Sequence, residues 1–186
     1  MEAQFTPEDA LIIVDVQNDF MPDWKLPVPD GDAVVPVINH WVKAAGLGHA
    51  QVVASRDWHP ADHASFKENG GPWPAHCVQH TQGAAFHLGL ELPGGFKMVT
   101  KGDRPDLDPY SDFEGTSLAA ELREVGVKRV FVCGLAQDVF VKATVLDALE
   151  HGFETHVVAS ATRPLSPVSG KLAMEEMRRA GAIIEE

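Results

Sequence analysis

Apolar runs and amphipathic segments alternate along this chain. Continuous apolar runs predict buried strands at 10–15, 51–55, 96–100, 129–133, 154–160 and 182–184. Apolar residues at helical spacing predict helices at 32–45, 115–125, 138–151 and about 168–180, the first N-capped by Asp32. Because strands and helices alternate, we predict an α/β fold in which a mostly parallel sheet is flanked by helices on both faces.

One long stretch, residues 56–93, lacks this periodicity and is rich in Gly, Pro, Trp and His. A loop of that length is unusual in a compact domain unless it carries function. The chain has 186 residues, the length of a single domain. We therefore predict one domain over 1–186, with a functional loop region at about 56–93.

Composition excludes several classes of function. The formal net charge is −12 at pH 7, so we expect no role in binding nucleic acid or anionic membranes. No apolar run approaches the length of a membrane span. Two cysteines, Cys77 and Cys133, cannot build a disulfide framework, and Met1–Asp9 lacks the basic start of a signal peptide. We expect a cytoplasmic protein, either monomer or homo-oligomer.

Histidines cluster in the loop region, where five of the nine in the chain lie between His59 and His87. One carboxylate and three imidazoles are available there from Asp57, His59, His63 and His76. That donor set suits one divalent metal ion, Zn²⁺, Fe²⁺ or Mn²⁺, with water completing the shell. The alternative is a group of surface histidines without a ligand.

Three positions lie at or just beyond the predicted carboxyl ends of strands: Asp15, Lys101 and Phe140. In a parallel sheet these ends share one edge, so the three side chains can converge. A carboxylate beside an ammonium can take a proton from a nucleophile and return it to a leaving amine. Read alone, Asp15 could instead be a turn or capping residue and Lys101 a solvated lysine.

Six stretches together resemble nicotinamidases, in the isochorismatase-like cysteine hydrolase superfamily. They run in family order over nearly the whole chain. They are Ile-Ile-Val-Asp-Val-Gln-Asn-Asp-Phe (12–20), Asp-x-His-x-x-x-His (57–63), Trp-Pro-x-His-Cys (73–77), Lys-Gly (101–102), Tyr-Ser-x-Phe (110–113) and Gly-Leu-Ala-x-Asp (134–138). The resemblance implies an isochorismatase-like fold and the conversion of nicotinamide and water to nicotinate and ammonia, a step of NAD salvage.

The resemblance also implies a role for each matching residue. Asp15 matches the general acid/base and Lys101 its supporting lysine, while the backbone N–H of Ala136 contributes to an oxyanion hole, near a cis peptide at Leu135–Ala136. The metal ligands match Asp57, His59, His63 and His76, and the metal is thought to hold the pyridine nitrogen directly or through water. The residues that match contacts to the substrate ring are Phe20, Trp73 and Tyr110.

Position 140 departs from the family pattern, because a nucleophilic cysteine is expected where this chain has Phe140. Phenylalanine can neither attack a carbonyl nor transfer a proton. Three hypotheses follow: a nicotinamidase-type amidohydrolase that is inactive or strongly impaired, a non-catalytic metal-dependent binder of a pyridine carboxamide or carboxylate, and an isochorismatase-like hydrolase of another substrate.

Overall fold

The computed structural model describes residues 4–186. Met1, Glu2 and Ala3, part of the stretch that we expect not to be a signal peptide, lie outside the described residues. Six parallel strands form one sheet in the order β3-β2-β1-β4-β5-β6. Their bounds are β1 Asp9–Val14, β2 Gln51–Asp57, β3 Lys97–Lys101, β4 Arg129–Leu135, β5 Glu154–Arg163 and β6 Ile183–Glu185. All six lie where apolar runs predicted them, to within a few residues.

Four α-helices accompany the sheet: α1 Val34–Leu47, α2 Leu118–Glu124, α3 Lys142–Glu150 and α4 Pro167–Ala180. From the central β1–β4 pair, the chain adds β2 and β3 on one side and β5 and β6 on the other. Because crossovers between parallel strands are right-handed, these opposite directions place α1 on one face of the sheet and α3 and α4 on the other. The predicted α/β fold, a parallel sheet with helices on both faces, is confirmed. No helix within residues 4–186 combines the length and apolar character needed to cross a bilayer.

The two central strands, β1 and β4, make the core of the sheet. Every residue of β1 is buried, and β1 pairs with β2 on one side and with β4 on the other. Strand order reverses between β1 and β4, which is the place where open α/β sheets form a crevice for ligands beyond their carboxyl ends. The candidate site lies at this point.

Three details of the sequence prediction are wrong. Asp32 does not cap α1: it lies inside a short 3-10 turn, Gly31–Ala33, which delays the helix until Val34. The second helix begins at Leu118, not at residue 115, after Ser117 as its N-cap. The third helix is not continuous from residue 138, because Gln137–Val141 forms a π-helical turn before α3 begins.

Candidate active site

The ends of three strands bring Asp15, Lys101 and Phe140 together. Asp15 follows β1, and its φ of 48° lies in the left-handed region, which aspartate tolerates better than most residues. Lys101 ends β3, and its Nζ donates a hydrogen bond of 2.6 Å to Asp15 Oδ2. The same Nζ lies 4.8 Å from the centre of the Phe140 ring. Since Asp15 and Lys101 are both buried, water screens their interaction little.

Burial and charge set the ionisation of this pair. Burial raises the pKa of Asp15 to about 7; the carboxylates of Asp57 and Asp112 add to the rise and Lys101 opposes it. Burial alone would lower the pKa of Lys101, but Asp15, Asp112 and Asp57 together raise it above its ordinary value. Lys101 therefore stays an ammonium at neutral pH, while Asp15 can gain or lose a proton there.

Sequence reasoning missed two residues that contact this pair. Ser55, on β2, donates a hydrogen bond of 2.7 Å to Asp15 Oδ1. Asp112 is completely buried, and its Oδ1 lies 3.2 Å from Lys101 Nζ. Asp112 falls at the unspecified position of the Tyr-Ser-x-Phe motif, so the motif alone gave no reason to single it out.

The four predicted metal ligands fall into two overlapping groups, and the second of these includes Asp108, which the sequence did not predict. Asp57, His59 and His76 place one ligand atom each within 4.8 Å of one another, and His59, His63 and Asp108 do the same. All of these residues are buried except Asp108, which is exposed. Asp57 is the last residue of β2, so the strand holds its carboxylate rigidly.

Hydrogen bonds orient two of the histidines for ligation. His59 Nδ1 lies 3.0 Å from the Gly102 carbonyl and His76 Nδ1 lies 2.8 Å from the Pro74 carbonyl. A carbonyl only accepts, so each Nδ1 carries a hydrogen, and each Nε2 is turned toward Asp57, 3.5 and 3.8 Å from Oδ2.

The environment of His59 fits a bound cation. His59 Nε2 is a buried atom without a hydrogen-bond partner in the described part of the chain. Burial alone would raise the pKa of Asp57, yet Lys101 and the two histidines hold this pKa well below its usual range. A buried imidazole nitrogen without a hydrogen-bond partner, beside an ionised carboxylate, is an arrangement that a divalent metal ion stabilises.

His63 is held differently from the other two histidines. Its Nδ1 accepts a hydrogen bond of 3.2 Å from the backbone N–H of Ser65, so the hydrogen is on Nε2, which lies 2.8 Å from the Leu107 carbonyl. In this arrangement His63 Nε2 points at the loop that follows β3. Ligation through Nε2 would require the proton to move to Nδ1, where Ser65 Oγ, at 2.7 Å, can accept it.

Gln17 fixes the backbone of Asp57 from the neighbouring strand end. Its Nε2 donates to the carbonyls of Asp57 at 2.8 Å and Ala84 at 2.9 Å, and its Oε1 accepts from the Asp57 N–H at 2.8 Å. Both polar side-chain atoms of this buried amide, Nε2 and Oε1, are hydrogen-bonded. These bonds connect the segment after β1 to β2 and to the loop region. Sequence reasoning gave Gln17 no role, although it lies in the first matching stretch.

Two side chains that precede Phe140, Gln137 and Asp138, anchor its turn to α4 and to the segment just before that helix. Gln137 Nε2 donates a 2.8 Å hydrogen bond to the Gly170 carbonyl. Asp138 accepts hydrogen bonds from the Leu165 N–H at 3.0 Å and from the Ser169 hydroxyl. The peptide bond Leu135–Ala136 is cis, as the resemblance implied. The hydrogen bonds of Gln137 and Asp138 hold this turn against α4, and Phe140, within the turn, is buried.

The Phe140 ring fills the space beside Asp15 and Lys101. Its centre lies 5.8 Å from that of Phe20 and 5.3 Å from that of Tyr110, and Trp73 Nε1 donates to the Tyr110 hydroxyl at 3.0 Å. The adjoining cavity is small: its volume of about 10 Å³ leaves room for about one water molecule. Its walls are Phe20, Leu26, Val28, Trp73, Ala136, Val139, Phe140 and Leu165.

Neither cysteine of this chain is suited to act as a nucleophile at neutral pH. Cys77 and Cys133 are both fully buried. Burial raises the pKa of the Cys133 thiol, and burial together with Asp57 and Asp19 raises that of Cys77 well above its ordinary value. Both remain thiols at neutral pH, and thiols are poor nucleophiles.

Comparison with known proteins places this site in a family. Residues 9–186 match the isochorismatase domain. The chain is 37% identical to the nicotinamidase of Escherichia coli K12, over 96% of this chain and 94% of that protein. It is 40% identical to the nicotinamidase/pyrazinamidase of Mycobacterium tuberculosis, over 92% of this chain and 95% of that protein.

Solved structures agree with the sequence matches. The pyrazinamidase of Pyrococcus horikoshii in complex with zinc has a TM-score of 0.94 and 48% identity, over 97% of this chain and 99% of that chain. PnC1 from L. infantum in complex with nicotinate has a TM-score of 0.91 and 34% identity, over 100% of this chain and 96% of that chain. The chain therefore belongs to the isochorismatase-domain family and, with its nicotinamidase relatives, to the nicotinamidase family of amidohydrolases.

Proposed function

We propose that this protein carries the site of a nicotinamidase, built to split nicotinamide into nicotinate and ammonia, and that Phe140 leaves the chain as it stands with little or no turnover. One observation carries this proposal: the Phe140 ring lies over Lys101, whose ammonium group contacts the Asp15 carboxylate, at the position where the attacking group is expected. The acid and the lysine are in contact, but the attacking group is absent.

The roles proposed for this chain's residues follow from their contacts. Asp15 would take the proton of an attacking group and return it to the leaving amine, since a pKa of about 7 suits both transfers at neutral pH. Lys101 would stabilise the ionised form of Asp15 through their 2.6 Å contact. The Ala136 N–H, at the start of the fixed turn, would donate to the developing oxyanion.

Substrate binding is proposed for the residues around the cavity and the metal group. A divalent ion, zinc in the Pyrococcus horikoshii relative, would supply a Lewis acid for the pyridine nitrogen. Asp57, His59 and His76 would hold it, with His63 joining once its Nε2 is deprotonated. Aromatic rings would enclose the pyridine: Phe20, Trp73 and Tyr110.

Restoring the nucleophile tests this proposal. The chain with Phe140→Cys should release ammonia from nicotinamide at least about 10³-fold faster than the unaltered chain, because loss of a nucleophile typically costs more than that. The double variant Phe140→Cys/Asp15→Asn keeps the thiol but lacks the base, and should stay inactive. Vigorous ammonia release by the unaltered chain would show that position 140 is not the nucleophile position.

A metal-dependent binder without turnover is the second candidate, because the metal group does not depend on Phe140. Asp57, His59 and His76 keep their ligand atoms together although the nucleophile position is altered. Calorimetry of the unaltered chain with nicotinamide and with nicotinate, each with and without Zn²⁺, tests this candidate. No heat in any of the four titrations removes it.

A further inference from the structure

The loop that follows β3 brings a carboxylate to the metal group that the sequence did not single out. Asp108 lies on this loop and is exposed. It nevertheless places a ligand atom within 4.8 Å of those of His59 and His63. The three form a His-His-Asp set, which is a common donor combination for Zn²⁺, Mn²⁺ and Fe²⁺.

A buried atom points to a ligand at this position. His59 belongs to both ligand groups, and its Nε2 is buried without a hydrogen-bond partner in residues 4–186. The contact of Nδ1 with the Gly102 carbonyl fixes the ring, and Nε2 lies 3.5 Å from Asp57 Oδ2. His59 is thus shared by the two groups, with Asp57 of β2 in one and Asp108 of the loop in the other.

The loop is already attached to the second histidine. The Leu107 carbonyl lies 2.8 Å from His63 Nε2, so the residue immediately before Asp108 contacts the ring that would otherwise face the ion. The loop is thereby held beside His63, and the next residue along it, Asp108, has its carboxylate near His59 and His63.

We infer that Asp108 is a further ligand of the metal centre, and that a bound divalent ion ties the loop after β3 to His59 and His63. This inference rests on the metal site of the proposed function and adds a ligand to it. Its consequence is that metal binding orders residues 103–109, which border an open cavity of about 430 Å³ beside Lys101.

Metal affinity tests the inference without any need for turnover. The unaltered metal-free chain, Asp108→Asn and the control Asp106→Asn are titrated with Zn²⁺ against a competing chelator. Asp106 is an exposed aspartate of the same loop, two residues away, so the control removes the same charge from the same segment. We expect Asp108→Asn to weaken Zn²⁺ binding about 10- to 100-fold, and Asp106→Asn to leave it within about twofold.

Two further readouts separate ligation from a long-range effect of charge. The visible spectrum of Co²⁺ responds to the number and type of ligands, so it should change in Asp108→Asn and stay unchanged in Asp106→Asn. Hydrogen exchange of the backbone amides of the non-proline residues in 103–109 should slow on Zn²⁺ binding in the unaltered chain and in the control, but not in Asp108→Asn.

The outcomes distinguish this inference from the proposed function. Equal Zn²⁺ affinity and equal Co²⁺ spectra for Asp108→Asn and the unaltered chain would overturn the role of Asp108 and leave the metal site intact. Equal weakening of Zn²⁺ binding by Asp106→Asn and Asp108→Asn would show that Asp108 acts only through its charge, which would also overturn its role as a ligand. Failure of the unaltered chain to bind either ion would overturn the metal site itself, and this inference with it.

Discussion

The ammonium group of Lys101 lies over the face of the Phe140 ring, 4.8 Å from its centre. A cation over an aromatic face is attracted by the ring quadrupole, so the two residues stabilise each other. The contact also closes the site, because the ring that covers Lys101 fills the space beside Asp15. In this chain the position expected to carry the nucleophile has become part of the packed core.

Removing the ring should therefore open the site to a ligand. We expect Phe140→Ala to bind nicotinamide in the presence of Zn²⁺ with a measurable heat, to release no ammonia, and to lose roughly 3–5 kcal/mol of unfolding free energy because a buried phenylalanine is truncated. Calorimetry, an ammonia assay and chemical denaturation measure the three effects. Equal nicotinamide binding by the unaltered chain would show that the ring does not block the site.

The pKa of Asp15 predicts a specific pH dependence. Burial raises it to about 7 in the folded metal-free chain, whereas an unfolded aspartate titrates near pH 4. Between these values the folded state holds a proton that the unfolded state has lost, so the contribution of Asp15 to the free energy of unfolding is fully present below about pH 4 and is lost as pH rises through about 7.

The variant Asp15→Asn isolates this contribution, since an amide does not titrate. We expect the unfolding free energy of the unaltered chain, relative to that of Asp15→Asn, to fall between pH 5 and pH 8. Urea denaturation of the metal-free proteins measures this difference. Carbon-13 NMR of the aspartate carboxyls should show one titration near pH 7 that is missing in Asp15→Asn. A pH-independent difference and no such titration would contradict the raised pKa.

The sheet could be predicted from the sequence because its strands are buried on both faces and appear as unbroken apolar runs. The same pattern located the strand ends, and hence the convergence of Asp15, Lys101 and Phe140, from chain order alone. Boundaries failed where a short turn intervened. A 3-10 turn, Gly31–Ala33, precedes α1, and a π turn, Gln137–Val141, precedes α3. The spacing of apolar residues in these turns is the same as in the helices that follow, so the sequence does not distinguish turn from helix.

The remaining site residues depend on tertiary contacts that no local pattern reveals. Ser55 is one of several small residues in an apolar strand, and only the pairing of β1 with β2 brings it to Asp15. Asp112 and Asp108 look like ordinary loop acids until the fold buries the first against Lys101 and brings the second to His59. The amount of space that the Phe140 ring leaves beside Asp15 is likewise a property of packing, which a motif does not encode.

Gly102 leads to a prediction about the metal group. Its φ of 63° is left-handed, and a Cβ there would collide with the His59 ring. Gly102→Ala should therefore displace His59, weaken Zn²⁺ binding at least about tenfold and lower the melting temperature. Gly115→Ala is the matched control: its φ of 69° carries the same backbone penalty, but nothing lies within 4 Å of the added Cβ. Equal Zn²⁺ affinity in the two variants would show that the close approach to His59 does not matter.

Zinc should stabilise the folded chain through the buried ligand group. A ligand that binds only the folded state adds about 2.7 kcal/mol to the free energy of unfolding at 100 times its dissociation constant. We expect Zn²⁺ to raise the melting temperature of the unaltered chain, a chelator to reverse the rise, and His76→Ala to lose most of it because one buried ligand is removed. His151→Ala, an exposed histidine outside the cluster, should retain the full rise. A zinc-induced rise of the same size in His76→Ala and in the unaltered chain would mean that the ion binds elsewhere.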